Sequence, residues 1–223
     1  MDKGIVIEYD FTAIDGAQLL FDTAKAFFTK LDNLAFDSGL EARFLAGQNY
    51  LAGLTQYFQF VKTKKTPQKA AKELPIAFQK ALTQKLKEEG LPPGFVKFVK
   101  AVAAKGIKVS IATRANVDQV TPVFQDLLSD NVKLHAETSV TYGNVKWDAW
   151  VRAAQTIGTQ PVATMVVAGS GFGVKSALSA KFFAIGVETP HTSWQDYSGA
   201  NLVTGLLSGD TAKACLKLMR VEG

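Results

Sequence analysis

The sequence holds a single cysteine, Cys215, in 223 residues, so no disulfide can close within the chain. That suits a reducing compartment. Cys215 lies in GDTAKACLKLM at helical spacing with Leu218 and Met219, the setting of a buried structural thiol rather than a nucleophile. There are only two histidines, His135 and His191, far apart and without a cysteine or carboxylate at metal-ligand spacing, which argues against a zinc site. No apolar run approaches the ~18 residues of a membrane span. The opening MDKGIVIEYD lacks the apolar stretch and cleavage signal of a secretory leader. The expectation is a soluble, cytoplasmic protein with no membrane partner. Internal repeats and low-complexity segments are also missing.

What is present is ordinary globular material: 47% hydrophobic and 20% charged residues, with fifteen Phe to fill a core. The net charge of +5 is partly concentrated in VKTKKTPQKAAKE, where Lys62, Lys64, Lys65, Lys69 and Lys72 cluster. Neither arginine nor an aromatic interleaves these lysines. They read as a solvated surface, and nucleic acid is not the expected partner.

Hydrophobic periodicity divides the chain in two. Residues 4–9 read as a buried strand. From Gln18 the period turns helical, and it stays helical to residue 89, with Pro67 suited to a helix start and Pro75 expected to kink or interrupt. After Gly90 the pattern alternates. GFVKFVKAVAAKG is a helix, IKVSIAT a strand, VDQVTPVFQDLL a helix interrupted by Pro122, and VKLHAETSV a short strand and loop. KWDAWVRAAQTIG is a helix whose Trp147 and Trp150 should pack on a sheet. ATMVVAG is a strand, GVKSALSAK a helix, FFAIGV a strand, and DTAKACLKLMR a last helix with Asp210 as its N-cap. Alternating β and α units call for a parallel sheet covered by helices. The predicted fold is therefore α/β, a Rossmann-like parallel core (1–16 and 90–223) with an inserted all-helical cap (17–89).

Ligands of such sheets bind beyond the C-terminal strand ends. Three ends matter: Glu8–Asp10, Thr113 and Ala168–Ser170. Acidic residues there are costly to bury and usually serve a purpose. GSGFGVKS, Gly169 to Ser176, lacks the Gly before Lys175 that a P-loop requires, since Val174 stands there. A glycine-rich turn opening a helix can still receive an anion.

Together these stretches resemble the haloacid dehalogenase superfamily, in its phosphoglucomutase-like branch with a helical cap. The first motif, Asp-x-Asp-Gly-Thr, stands here as Glu8-Tyr9-Asp10-Phe11-Thr12, with Asp15 following. IKVSIATRAN supplies the strand-ending Thr113, and YGNVKWDAW the motif lysine, Lys146. MVVAGSGFGVKS has the frame of the fourth motif, with Ala168 and Gly169 at its acidic positions. The resemblance implies an aspartyl nucleophile at position 8, an acid–base carboxyl at Asp10, and phosphoryl contacts from Thr113, Arg114 and Lys146. It also implies Mg²⁺ held by the nucleophile, the Asp10 carbonyl and a fourth-motif acid. Glu8 carries its oxygens one methylene further out, and a misplacement of ~1 Å can cost ~10²-fold. Ala168 and Gly169 offer a metal nothing. The implied protein is a degenerate one with no cofactor, or Mg²⁺ bound weakly at most, holding a phosphorylated or other anionic small molecule or a partner. The alternative is an atypical phosphohydrolase that works through Glu8 and Asp10.

Overall fold

A computed structural model describes residues 2–137 and 147–220. Its centre is a six-stranded, all-parallel sheet in the order β3-β2-β1-β4-β5-β6. The strands are β1 (Gly4–Glu8), β2 (Lys108–Thr113), β3 (Val132–Ala136), β4 (Thr164–Ala168), β5 (Phe183–Val187) and β6 (Leu202–Thr204). β1 and β4 are buried along their whole length, as continuous apolar strands covered on both faces must be. The strand order reverses between β1 and β4, which makes their C-terminal ends the switch point at which a ligand crevice forms.

Between β1 and β2 the described elements are all helical: α1 (Tyr9–Thr12), α2 (Gly16–Asp32), α3 (Ser38–Phe44), α4 (Tyr50–Phe60), α5 (Pro67–Glu89) and α6 (Pro93–Ala103). The remaining helices are α7 (Val117–Phe124), α8 (Trp147–Gln155), α9 (Gly171–Ser179) and α10 (Gly209–Leu218). No helix among the described residues is long and apolar enough to cross a membrane. All five lysines of the basic cluster are exposed, and two meet acids at the surface, Lys65 with Asp32 and Lys69 with Glu73.

The helical insertion has its own aromatic centre. Phe28 is fully buried, with ring centroids 4.9 Å from both Phe36 and Tyr57 and 6.2 Å from Phe58. α5 runs unbroken through Pro75. The interruption expected there does not occur, because Ala70, Leu74, Phe78, Leu82 and Leu86 bury one continuous face that outweighs the missing N–H bond. The helical stretch around residue 47 does break. Gly47 has φ +68°, a conformation L side chains rarely adopt, and the tip of the Phe172 ring on α9 lies 2.2 Å from where its Cβ would stand.

Other local readings shift. β1 ends at Glu8, and Tyr9 already begins the single turn of α1. Pro122 sits inside α7 without ending it. The N-cap of α10 is Ser208, whose side chain accepts from the Thr211 N–H, while Asp210 lies in the first turn, where its charge still favours the helix. Trp150 is buried as expected, but Trp147 is 58% exposed because the helix turns it away from the sheet. β6 falls in SGANLVTGLL, too short to show a period.

Phe28→Ala removes the ring on which the helical insertion centres. It is expected to destabilise the protein by about 3–5 kcal/mol in chemical denaturation, with the loss seen first in the helical far-UV signal.

Candidate functional site

The register of the sheet assembles the site. Glu8 pairs with Ala112, and Ile7 with Val167, so Thr113 and Ala168 leave their strands beside Glu8. α1 then turns the chain back at once, with the Thr12 hydroxyl donating to the Glu8 carbonyl at 2.8 Å. This turn carries Asp10 to the end of β2. The Thr113 hydroxyl donates to Asp10 Oδ1 at 2.6 Å, and the Arg114 backbone N–H donates to Asp10 Oδ2 at 2.8 Å. The Arg114 guanidinium spans both acids, reaching Asp10 Oδ2 at 3.1 Å and Glu8 Oε1 at 2.8 Å. The Gly169 N–H donates to Glu8 Oε2 at 2.9 Å. The Phe11 ring packs 5.0 Å from the guanidinium carbon. Exposure is 3% for Glu8, 0% for Asp10 and 4% for Arg114.

Two carboxylates thus share one cation out of water. Desolvation pushes the Glu8 carboxyl up, against the opposing pull of Arg114 and the Gly169 N–H. The Asp10 carboxyl is also raised by burial, against Arg114 and Thr113. Burial works against the guanidinium charge too, but Glu8 and Asp10 more than offset it, and Arg114 stays cationic.

Several donors around this cluster are engaged within the chain. Gly171 N–H donates to Gln195 Oε1 at 2.9 Å, and Gly173 N–H to the Ser170 hydroxyl at 3.0 Å. Ala115 N–H donates to the Thr113 hydroxyl at 3.1 Å. Asn116 N–H donates to the Thr83 hydroxyl of α5 at 2.9 Å, and the Gln79 side-chain amide donates to the Arg114 carbonyl at 3.1 Å. On the other side His191 Nε2 lies 2.6 Å from Glu41 Oε2 of α3. The cavity that remains between Glu8, Glu41, Ser170, His191, Trp194 and Gln195 measures about 40 Å³. That is room for roughly three water molecules.

The residues do not fit a divalent cation. Glu8 and Asp10 turn their oxygens to Arg114, Thr113 and Gly169, and Ala168 and Gly169 bring no side-chain oxygen. Among the described residues no group of three or more His, Cys, Asp or Glu could hold an ion. An acid at 169 is also excluded by space: a Cβ there would lie 2.2 Å from Phe11 Cβ and 2.4 Å from the Phe11 carbonyl oxygen.

Of the residues singled out by sequence, Glu8, Asp10, Thr113 and Arg114 converge, while Lys146 lies outside the described residues. Sequence reading missed Thr83, Gln195 and the Glu41–His191 pair. Each acts across more than twenty residues of chain, and no local spacing signals it.

Removing one partner of a buried ion cluster leaves uncompensated charge. Arg114→Met should therefore lower stability by about 3–5 kcal/mol, read by urea titration. The sign of its pH dependence follows from the raised carboxyls. A carboxyl whose folded pKa lies above its unfolded value contributes stability that is complete below the unfolded value and lost as pH rises through the folded one. Without Arg114 both folded values climb further, so the deficit of the variant should be smaller near pH ~5 than near pH ~8.

No family model matches the chain. A CBBY-like protein of Arabidopsis thaliana is 25% identical over 214 residues, covering 90% of this chain and 65% of that relative, so the chain spans just under two thirds of its length. Among solved structures, a HAD hydrolase (family IA, variant 3) from Entamoeba histolytica superposes with a TM-score of 0.71 at 17% identity, over 99% of this chain and all of that one (100%). The β-phosphoglucomutase of Clostridium difficile gives 0.69 at 15% identity, over 99% and 98% of the two chains. CbbY of Rhodobacter sphaeroides, solved in complex with phosphate, gives 0.65 at 16% identity, over 91% and 93%. The chain has the haloacid dehalogenase-like fold in its phosphoglucomutase-like form.

Proposed function

We propose that this chain keeps the haloacid dehalogenase-like fold without its phosphoryl-transfer chemistry. In this reading it serves to bind, receiving a phosphorylated or other anionic small molecule between the sheet and the helices. The observation that carries the reading is the Glu8–Arg114–Asp10 cluster. A nucleophile must offer an oxygen to phosphorus, and an acid must offer a proton to a leaving group. Glu8 has a donor on each oxygen and Asp10 accepts from three donors, so both acids are engaged within the chain rather than held out toward a substrate. The positive charge beside them comes from the chain itself.

The support for an anion is of two kinds. CbbY of Rhodobacter sphaeroides has been solved with phosphate and, as a D10N mutant, with xylulose-(1,5)-bisphosphate. In this chain α9 presents its N-terminus at the cavity edge, and helix N-termini favour anions. A phosphate would take the place of the Gln195 amide oxygen on Gly171 N–H. Residues 17–89 act in this reading as a cap, held down by the Glu41–His191 pair and by Thr83 and Gln79. Because Glu8 and Glu41 line the same cavity, they oppose a dianion, and the affinity for inorganic phosphate should be weak, ~1 mM or poorer.

The test is phosphate release from p-nitrophenyl phosphate by the wild type, with and without Mg²⁺, against an Asp10→Asn control. The expected outcome is no Mg²⁺-dependent release above the control. Robust release that disappears in Asp10→Asn would overturn the reading and make the protein a phosphohydrolase working through Glu8. In the same samples, millimolar Mg²⁺ should leave the melting temperature unchanged, since a ligand stabilises only as [L]/Kd allows.

A further inference from the structure

The cavity between the sheet and the helices is more apolar than an inorganic anion requires. Beside the acids, its walls are Phe11 of α1, Ala17 and Leu20 of α2, and Ala46. Trp194 lines the same cavity and is nonetheless 52% exposed, which places it at the mouth. Single exposed apolar side chains need no explanation. Among the described residues, however, Trp194 is the one large exposed apolar side chain in this wall. Its position is set from both sides. The indole N–H donates to the His191 carbonyl at 3.0 Å. The His191 ring is in turn held by Glu41 and packs on Phe21, with centroids 5.1 Å apart. The following residue, Gln195, accepts from the Gly171 N–H at 2.9 Å. A large ring is thus fixed at the entrance with half its surface in water, an exposure that an apolar ligand group would relieve.

We infer, building on the anion-binding reading, that the ligand is a small organic anion with a flat apolar body, its charged head inside the cavity and its body against Trp194. Charge alone supplies little affinity, because Glu8 and Glu41 face the same space. The apolar contacts must then supply most of it. The enclosed volume of about 40 Å³, or roughly three waters, suits a head of carboxylate size. Ser170 lines this volume with a hydroxyl that accepts from the Gly173 N–H and keeps its own proton to donate. The Gly171 N–H is freed when Gln195 gives way. Between head and mouth, Ala17, Leu20 and Ala46 offer no side-chain partner to a hydroxyl. A sugar would lose water there without replacement. A planar apolar group gains by leaving water and stacks on the indole.

Benzoate, acetate and benzamide separate the parts of this ligand. Benzoate has head and ring, acetate the head alone, and benzamide the ring without the charge. Binding is followed in amide NMR titrations through the Gly169 and Ser170 signals. The wild type should bind benzoate at least about tenfold more tightly than acetate, and benzamide more weakly than benzoate. Trp194→Ala should cut the benzoate advantage roughly two- to tenfold and leave acetate unchanged, whereas Trp194→Phe, which keeps a ring, should retain most of it. Ala46→Phe, which fills the space between head and mouth, should abolish benzoate binding and checks the site from a second wall. This ligand class is overturned if benzoate gives no saturable shift or binds no better than acetate. It is also overturned if Trp194→Ala or Ala46→Phe leaves the preference intact, or if Trp194→Phe loses as much as Trp194→Ala. Saturable shifts with inorganic phosphate in the same samples would then leave the anion reading standing. Benzamide binding as tightly as benzoate would overturn the anion reading and this ligand class together.

Discussion

The guanidinium of Arg114 holds the centre of this molecule together. Two carboxylates at the end of the innermost strand are withdrawn from water, and they would repel each other and the apolar core were Arg114 not placed between them. The same residue reaches further through its backbone. Its N–H caps Asp10, and its carbonyl receives Gln79 from α5, while Thr83 one turn on secures Asn116. A single residue thus ties the end of β1, the end of β2 and the longest helix of the insertion. Clusters of this kind add little net stability compared with an apolar core, but breaking one is severe.

Much of the fold was legible because it is written in periods. The buried runs of β1, β2 and β4 and the four-residue spacing of Leu74, Phe78, Leu82 and Leu86 announce strand and helix without help from the rest of the chain. Where local signals misled, long-range packing had overruled them. Pro75 reads as a break, yet a fully buried face carries the helix past it. Asp210 reads as a cap, yet Ser208 lies two residues earlier in extended backbone with a hydroxyl in reach. Three strand residues at Leu202–Thr204 are too few to declare a period.

The site divides in the same way. Glu8, Asp10, Thr113 and Arg114 stand out because strand ends of a parallel sheet are where chemistry collects, and all four meet. What the sequence could not convey is the direction of Arg114. A cation next to a strand-ending threonine reads as a reach toward a ligand, and only the geometry turns it inward, onto the acids of the neighbouring strand. The pairing of Glu41 with His191 joins positions 150 residues apart. It depends on how the insertion folds over the sheet, which no window of sequence contains.

Gly169 gives this arrangement a direction in time. Phe11 stands so close that no side chain can be added at 169 while Phe11 and the turn that carries it remain in place. Phe11 in turn packs against the Arg114 guanidinium. A side chain at 169 could be accepted only after the Phe11 backbone and Cβ, which carry that ring over the guanidinium, had moved. The order in which substitutions could be accepted there is therefore set by van der Waals contact at one glycine, with Phe11 and its turn moving before any side chain enters.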